Sequence, residues 1–208
     1  MNREDLKLYL ITDNNALKGR NFFEVIEEAL KGGVTMVQLR EKNLSPIDFT
    51  KRATKLKQLT KKYNVPLIIN DNINIAFDCG ADGLHIGQTD IAIRDARRII
   101  RKDSGKILGV TASSVALANN AEKNGADYIG SGAVFATGTK NDAKFLSFDG
   151  LKNITQSLSI PVVAIGGITV ENAHLLKDLG LAGLAVSSGI MGAENVYETA
   201  KYLRNLEL

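Results

Sequence analysis

The sequence predicts an α/β protein of one domain, a (β/α)8 TIM barrel spanning residues 1–208. Short apolar segments alternate strictly with helical patterns, eight of each, and this order is typical of parallel strands joined by right-handed crossovers. The units recur about every 25 residues, as successive supersecondary units do. Because alternation alone does not show that the first strand meets the last, an open doubly wound sheet is the alternative.

Each predicted strand is a short apolar run, and a helix is expected after each one. The strands are expected at residues 7–12, 36–40, 67–70, 83–86, 107–111, 128–131, 162–165 and 183–187. The helices are expected at residues 22–31, 46–63, 73–79, 91–101, 115–124, 149–157, 171–179 and 196–206. The tetrapeptides GGVT, GADG, GADY and GLAG precede the even-numbered strands, where their glycines end a helix. Pro66 and Pro161 begin strands three and seven, where a missing backbone donor matters least.

Composition limits the classes of function. Hydrophobic residues make up 44% of the chain, enough for a substantial core, and a net charge of +3 is too small to indicate a nucleic-acid-binding surface. Cys79 is the single cysteine, which excludes a disulfide framework and predicts a small buried residue. There is no signal-peptide pattern and no apolar run of about eighteen residues. We therefore expect a cytoplasmic protein that binds small molecules, with no nucleic-acid or membrane partner; a homo-oligomer remains compatible with the sequence.

Polar side chains collect where the predicted strands end. The residues at these strand ends include Thr12, Asp13, Gln38, Arg40, Lys42, Asn70, Asp71, His85, Gln88, Asp90, Thr111, Ser131, Ser187 and Ser188. In parallel barrels the active site is built at the rim formed by the carboxyl ends of the strands. This collection of polar residues at one end of the strands therefore predicts a functional site at that rim.

Two carboxylates of this rim are expected to share a cation. Asp71 closes the third strand and Asp90 follows the fourth, so both should face the same space. Mg²⁺ is the expected cofactor, because it favours one or two protein carboxylates completed by phosphate oxygens and water. His85 has too few companions for a zinc site. The alternative is that each aspartate is only a helix N-cap, since each precedes an apolar-periodic run.

Positive side chains are expected beside that cation. Gln38 and Arg40 are two residues apart on one strand, so their side chains point together toward the barrel axis, and Lys42 follows at the same parity. An inward arginine is costly unless an anion meets it. That anion is either a substrate or, in the structural alternative, the carboxylate of Asp71.

The last two strand ends indicate a phosphate site. Gly167 in AIGGI offers bare backbone, and Ser187 and Ser188 in SSGIMG can begin a short helix with free backbone donors. These two loops, with a short extra helix, recur as the phosphate site of this fold. Ordinary turn chemistry is the alternative.

The longest loop, residues 132–148, has no helical pattern and is expected to be a lid over the rim. Thr137, Thr139 and Lys140 supply hydroxyl groups and a cation suited to a second phosphate group. A disordered surface loop is the alternative.

Together these segments resemble the thiamine-phosphate synthase family. The motifs that carry the resemblance are QLREK at 38–42, IINDN at 68–72, GADGLHIGQTD at 80–90, LGVTA at 108–112, GADYIGSGAVFATGTKNDA at 125–143 and VAIGGIT with EN at 163–172. The resemblance implies a transferase that joins a hydroxymethylpyrimidine diphosphate to a hydroxyethylthiazole phosphate. Diphosphate is released and thiamine phosphate is formed.

The resemblance also implies a role for each matching residue. Asp71 and Asp90 match ligands of Mg²⁺. Contacts to the pyrimidine diphosphate are implied for Gln38, Leu39, Arg40, Glu41, Lys42, Asn70, Thr111 and Lys140, with His85 lining the pyrimidine pocket. Contacts to the thiazole phosphate are implied for Thr137, Gly138, Thr139, Gly167, Ser187 and Ser188. Arg40, Lys42 and Lys140 would stabilise the charge on the departing diphosphate.

The sequence departs from the family pattern without losing a cation or a metal ligand. Thr111 stands where serine is usual, Ala133 where proline is common, Asn74 where aspartate is frequent, and Ser187 where the residue is more often apolar. Two rival functions remain: a thiazole tautomerase of related fold, and a non-catalytic barrel that binds thiazole phosphates. The pair of aspartates and Lys42 favour the synthase over the tautomerase, which has no need for a diphosphate-bound metal.

Overall fold

The computed structural model describes residues 1–101, 104–137 and 145–208, and in it the strands close into a barrel. The strands are β1 Leu8–Ile11, β2 Met36–Leu39, β3 Leu67–Asn70, β4 Gly83–Ile86, β5 Ile107–Thr111, β6 Tyr128–Gly132, β7 Val162–Ile165 and β8 Gly183–Val186. Neighbours pair in parallel in chain order, and β1 also pairs with β8, where Tyr9 lies beside Ala185. The predicted (β/α)8 barrel is confirmed, and the open sheet is excluded.

Helices follow the strands and cover the barrel. They are α1 Phe22–Lys31, α2 Pro46–Lys62, α3 Ile73–Asp78, α4 Ile93–Ile100, α5 Val115–Lys123, α6 Phe148–Ser157, α7 Ser188–Met191 and α8 Val196–Arg204. Six of them begin at a side chain that accepts a hydrogen bond from the first turn, as Asn21 does for α1 and Ser45 for α2. Such caps satisfy backbone donors that would otherwise lack partners. None of the described helices is both long and apolar enough to cross a membrane.

The prediction of a helix at residues 171–179 is wrong, because only one 3-10 turn, Ala173–Leu176, forms there. Asn172 holds the start of this segment to the loop after β7. Its side chain accepts from the backbone N of Thr169 at 2.8 Å and donates to the backbone O of Gly167 at 2.8 Å. The chain then leaves the turn at Lys177 in extended conformation. The segment has the apolar periodicity of a helix, but the hydrogen bonds of the Asn172 side chain hold it as a loop.

Two apolar layers form the core. The outer layer lies between barrel and helices and includes Leu39, Ile69 and Leu84, all fully buried. Cys79 is buried in this layer, as predicted. The inner layer is smaller and contains Leu6, Tyr9, Ile11, Met36, Ile68, Ile107, Tyr128, Val163, Ala182 and Ala185. Because successive strand residues alternate between the two layers, the inner face of each strand continues toward the polar rim.

Aspartates of the GADG and GADY motifs fasten the opposite end of the barrel. Asp127 Oδ2 accepts a hydrogen bond from the backbone N of Leu108 at 2.7 Å and pairs with the guanidinium of Arg97 on α4. Asp82 repeats this arrangement one strand pair earlier, with a lysine of α2 in place of the arginine. Each carboxylate therefore ties a strand to a helix.

Removal of the Asp127 carboxylate should destabilise the fold. In Asp127→Ala the backbone N–H of Leu108 loses its acceptor. The guanidinium of Arg97, which is 11% exposed, loses its carboxylate partner and keeps only the backbone O atoms of Gly125 and Lys106. We expect the free energy of unfolding to fall by about 2–3 kcal/mol, measured by urea denaturation. Asp95→Ala is the matched control, because its pair with Arg98 is exposed and 3.6 Å long, and it should change that free energy by less than about 0.5 kcal/mol. Equally small losses in both variants would contradict the fastening role of Asp127.

Candidate active site

The polar strand ends lie together at one mouth of the barrel, because all its strands run parallel. The strand register sets Gln38 beside Ile11, and Asn70 beside His85. Asn70 is half-buried, and its backbone O accepts a hydrogen bond from the N of Asn72 at 2.7 Å. The rim therefore brings the predicted polar residues of β2, β3 and β4 next to one another.

Asp71 is held in a constrained backbone conformation at this rim. Its φ of 61° lies in the left-handed region, which non-glycine residues adopt at some cost. Its backbone N donates to the O of His85 at 2.8 Å, and its Oδ2 accepts from Lys42 Nζ at 2.7 Å. The N-cap of α3 is Asn72, not Asp71. The helix-cap alternative for Asp71 is therefore wrong.

Asp90 lies against Asp71 and also does not cap a helix. The N-cap of α4 is Ala92, whereas Asp90 Oδ2 accepts from the backbone N of Gly87 at 2.7 Å. Burial raises the pKa of the Asp90 carboxyl, and the carboxyl group of Asp71 raises that pKa further. The Gly87 amide and the ammonium of Lys42 act in the opposite direction. A carboxyl group that raises the pKa of its neighbour in this way is close enough to share a ligand with it.

The chemistry of this pair suits a hard divalent cation. No group of three or more His, Cys, Asp or Glu side chains able to hold a metal occurs among the described residues. A cation held by Asp71 and Asp90 would therefore draw its remaining ligands from water or from a bound anion, which is the coordination that Mg²⁺ favours.

Arg40 and its neighbours divide their side chains between the rim and the scaffold. The backbone N of Arg40 donates to Thr12 Oγ1 at 3.0 Å, and no described carboxylate contacts its guanidinium. Lys42, and not Arg40, pairs with Asp71, so the structural alternative proposed for Arg40 is wrong. Leu39 is fully buried in the outer core. Glu41 is bound to Arg52 and to a side-chain amide of the 3-10 turn Asn14–Leu17. The side chains of Leu39 and Glu41 are thus committed to the scaffold, which leaves their backbone for any contact with a ligand.

A chain of hydrogen bonds crosses the barrel directly below the rim. Gln38 Nε2 donates to Tyr9 Oη at 2.6 Å, and Tyr9 Oη lies 2.7 Å from Tyr128 Oη. Tyr128 Oη lies 2.9 Å from His85 Nδ1, and His85 Nε2 lies 2.9 Å from Thr111 Oγ1. We call these five residues the floor chain. Burial raises the pKa of both tyrosines, so both phenols stay protonated.

Sequence reasoning found three members of the floor chain and missed both tyrosines. Tyr9 and Tyr128 lie within apolar runs and belong to the inner core, so they resembled ordinary core residues. Their inward parity, shared with Gln38 and His85, was the available signal. A second signal is Gly109, where a Cβ atom would lie 2.1 Å from Tyr128 Cζ. That glycine leaves the space in which the Tyr128 ring reaches its partners.

The loops after β7 and β8 follow neighbouring strands, and the phosphate cradle assigned to them stays a prediction. Gly167 has a φ of 65°, and a Cβ atom there would lie 2.3 Å from the backbone O of Ala136, so the missing side chain leaves room for the loop after β6. The short helix α7 begins at Ser188, as expected from the sequence. Within the described part of the chain, the buried Oγ of Ser187 has no hydrogen-bond partner. A polar atom left in this state fits a site built to receive a ligand.

Arg20 fixes helix α7 from its carboxyl end. Its guanidinium and Nε donate to the backbone O atoms of Leu17 at 3.1 Å and Ala193 at 2.7 Å, and also to that of Met191. These carbonyl groups carry partial negative charge at the end of a helix, where a cation is favourable. The sequence patterns did not single out Arg20, because its partners are about 170 residues away in the chain.

The predicted lid is described only in part. Thr137 is the last described residue before the gap, and Gly138, Thr139 and Lys140 lie outside the described residues. Their assigned contacts stay predictions. The loop resumes at Phe145 and reaches α6, whose N-cap is Ser147.

Comparisons with known proteins point in one direction. Residues 8–190 match the family model described as thiamine monophosphate synthase. The chain is 50% identical over 203 residues to a thiamine-phosphate synthase of Clostridium acetobutylicum, covering 98% of this chain and 95% of the relative. It is 54% identical over 195 residues to one from Methanobrevibacter smithii, covering 94% and 92%. A solved structure, thiamine phosphate pyrophosphorylase from Pyrococcus furiosus, superposes with a TM-score of 0.88 at 40% identity, covering 97% of this chain and 95% of that one.

Loss of the Arg20 guanidinium should loosen helix α7. In Arg20→Met the carbonyl groups of Met191 and Ala193 lose their donors. We expect amide hydrogen exchange in α7 to accelerate at least about tenfold, while exchange in β1 to β6 stays unchanged. Arg98→Met is the matched control, because the Arg98 side chain is 80% exposed. Unchanged protection of α7 in Arg20→Met would show that the helix is held by other contacts.

Proposed function

Because the chain belongs to the thiamine monophosphate synthase family, we propose that it joins a hydroxymethylpyrimidine diphosphate to a hydroxyethylthiazole phosphate. The products are thiamine phosphate and diphosphate, so the enzyme is a transferase. The observation that carries the proposal is the pair of Asp71 and Asp90 with Lys42 on the rim. A cytoplasmic location stays a prediction from the sequence, and a homo-oligomer stays compatible with it.

Asp71 and Asp90 would hold Mg²⁺ in this proposal. The donor set supports it: two adjoining carboxylates, no third acidic, histidine or cysteine ligand among the described residues, and a neighbouring ammonium. When bound, Mg²⁺ would neutralise charge on the diphosphate of the pyrimidine substrate. Lys42 already touches Asp71, so the same ammonium is in reach of an anion that approaches the two carboxylates.

The positive side chains then stabilise the leaving group. As the bond between the pyrimidine methylene carbon and the diphosphate oxygen breaks, the bonding electrons leave with the diphosphate and the methylene carbon becomes cationic. Arg40 and Lys42 face the developing negative charge, and Lys140 is assigned the same task from the lid. The thiazole nitrogen donates its electron pair to the carbon and forms the new bond. No protein nucleophile takes part, and catalysis comes from positioning the two substrates and from electrostatics.

The remaining rim residues bind the two substrates. Gln38, Asn70, His85 and Thr111 are assigned to the pyrimidine half, together with the backbone of Leu39 and Glu41. The thiazole phosphate is assigned to the cradle of Gly167, Ser187 and Ser188, with Thr137, Gly138 and Thr139 from the lid. The buried Oγ of Ser187, which has no partner in the described chain, supports an anion at this place.

One assay separates this function from its rivals. The purified protein is given both substrates with and without Mg²⁺, and diphosphate release and thiamine phosphate are measured by mass spectrometry. We expect both products in equal amounts, and neither after chelation of the metal. Isomerised thiazole phosphate without diphosphate would instead identify a tautomerase. Binding of thiazole phosphate without any turnover would identify a non-catalytic barrel.

The metal site can be tested without turnover. We expect saturating Mg²⁺ to raise the melting temperature of the protein by about 2–4 °C, because a ligand that binds only the folded state stabilises it. Asp71→Asn and Asp90→Asn should each abolish this rise without lowering the melting temperature in the absence of Mg²⁺, since each relieves a repulsion between carboxylates. Asp95→Asn, on the exposed face of α4, should leave the rise intact. A rise that persists in both rim variants would contradict the assignment.

A further inference from the structure

Counting the protons of the floor chain shows which group donates in each of its hydrogen bonds. A phenol carries one proton, and the amide of Gln38 presents Nε2 to Tyr9. The proton of Tyr9 is then left for Tyr128, and the proton of Tyr128 for His85 Nδ1. His85 therefore carries its proton on Nε2 and donates it to Thr111. Reversal of a single link would leave a buried hydroxyl proton without an acceptor, which is unfavourable.

The two ends of the floor chain present fixed groups to the rim. At one end an N–H of Gln38 donates to Tyr9, which turns Nε2 toward the tyrosine and leaves Oε1 as an acceptor. At the other end Thr111 accepts from His85, so its own hydroxyl proton remains as a donor. An aminopyrimidine offers an N–H donor from its amino group and an acceptor from the adjacent ring nitrogen. An oxo-substituted pyrimidine offers an acceptor where the amino group would be. Two acceptors, this oxygen and Gln38 Oε1, would then face one another, which is unfavourable.

We propose that Tyr9 and Tyr128 are positioning residues that fix the direction of the Gln38 amide, and thereby select an amino-substituted over an oxo-substituted pyrimidine. This inference rests on the proposed function. Neither tyrosine needs to touch the substrate, because each acts through Gln38. The only other arrangement that uses every proton reverses all links together, and it requires the carbonyl oxygen of Gln38 to face Tyr9.

Tyr128 is the residue whose loss reverses the amide. In Tyr128→Phe the hydroxyl proton of Tyr9 has Gln38 as its one remaining partner in the floor chain. The amide then gains by turning its Oε1 inward and presenting NH₂ to the pyrimidine. The ring itself is retained, and Gly109 still leaves space for it.

The tautomer of His85 is a readout that does not depend on activity. The chain contains two histidines, so His174→Gln assigns their ¹⁵N signals. Spectra are recorded at about pH 8.5, roughly two units above the ordinary histidine pKa. We expect the Nε2–H tautomer alone in the wild type, a second tautomer in Tyr128→Phe, and no change in Tyr9→Phe, where Tyr128 keeps His85 as its acceptor. An Nδ1–H tautomer or an imidazolium ion in the wild type would overturn the proposal, as would an unchanged spectrum in Tyr128→Phe.

Selectivity is measured as the ratio of calorimetric Kd values for the pyrimidine diphosphate and its oxo analogue, with Mg²⁺ and without thiazole phosphate. We expect the preference for the amino compound to fall by at least about tenfold in Tyr128→Phe and in Tyr9→Phe. Tyr63→Phe is the matched control, since its hydroxyl bonds Glu27 on the outer surface, and its ratio should equal that of the wild type. If one tyrosine variant does not fold, the other still decides. An unchanged ratio in a folded variant would overturn the proposal, whereas wild-type protein that releases no diphosphate would refute the proposed function and leave the tautomer result standing.

Discussion

The approach of Asp71 to Asp90 is the constraint on which the rest of the rim depends. Two carboxylates held side by side repel one another, and the raised pKa of Asp90 reflects burial together with this repulsion. The fold holds them there by fixing Asp71 in a left-handed backbone conformation and Asp90 in a turn closed by the amide of Gly87. The ammonium of Lys42 offsets part of the repulsion. The cation that we propose at this place would offset the rest of the repulsion.

Below the rim, the barrel replaces apolar filling with a buried polar system. Most of the inner core is aliphatic, but the layer that supports the site consists of two phenols, an amide, an imidazole and a hydroxyl group. Each link between neighbouring groups is a hydrogen bond, so the layer is rigid as well as polar. Gly109 makes this layer possible, because any side chain at that position would collide with Tyr128. The polar residues of the rim therefore rest on a buried layer that is itself polar.

The sequence predicted most of the fold because its signals are local. Strict alternation, glycines at helix ends and prolines at strand starts lie within a few residues of the features they mark. Both rim carboxylates were singled out because Asp71 directly follows β3 and Asp90 lies in the loop after β4. What could not be predicted depends on contacts between distant residues. Tyr9 meets Tyr128 across 119 positions, and Lys42 rather than Arg40 meets Asp71, although the two cations share one parity. The prediction of a helix after β7 failed for a similar reason. The hydrogen bond from the Asn172 side chain back to the backbone O of Gly167 overrides the apolar periodicity of that segment.

Arg20 and Arg3 both lie near the start of the chain and both bind backbone of its last quarter. Arg20 bonds the carbonyl groups beyond β8, and Arg3 bonds those of Gly180 and Leu181 just before it. The seam between β1 and β8 can therefore be completed only after β8 has left the ribosome. Until then, the guanidinium groups of Arg3 and Arg20 lack these acceptors, and the edge of β1 that pairs with β8 is uncovered. Helix α7, which we propose as part of the phosphate site, forms only after β8, so chains truncated before β8 would lack both that helix and the partner that shields the edge of β1.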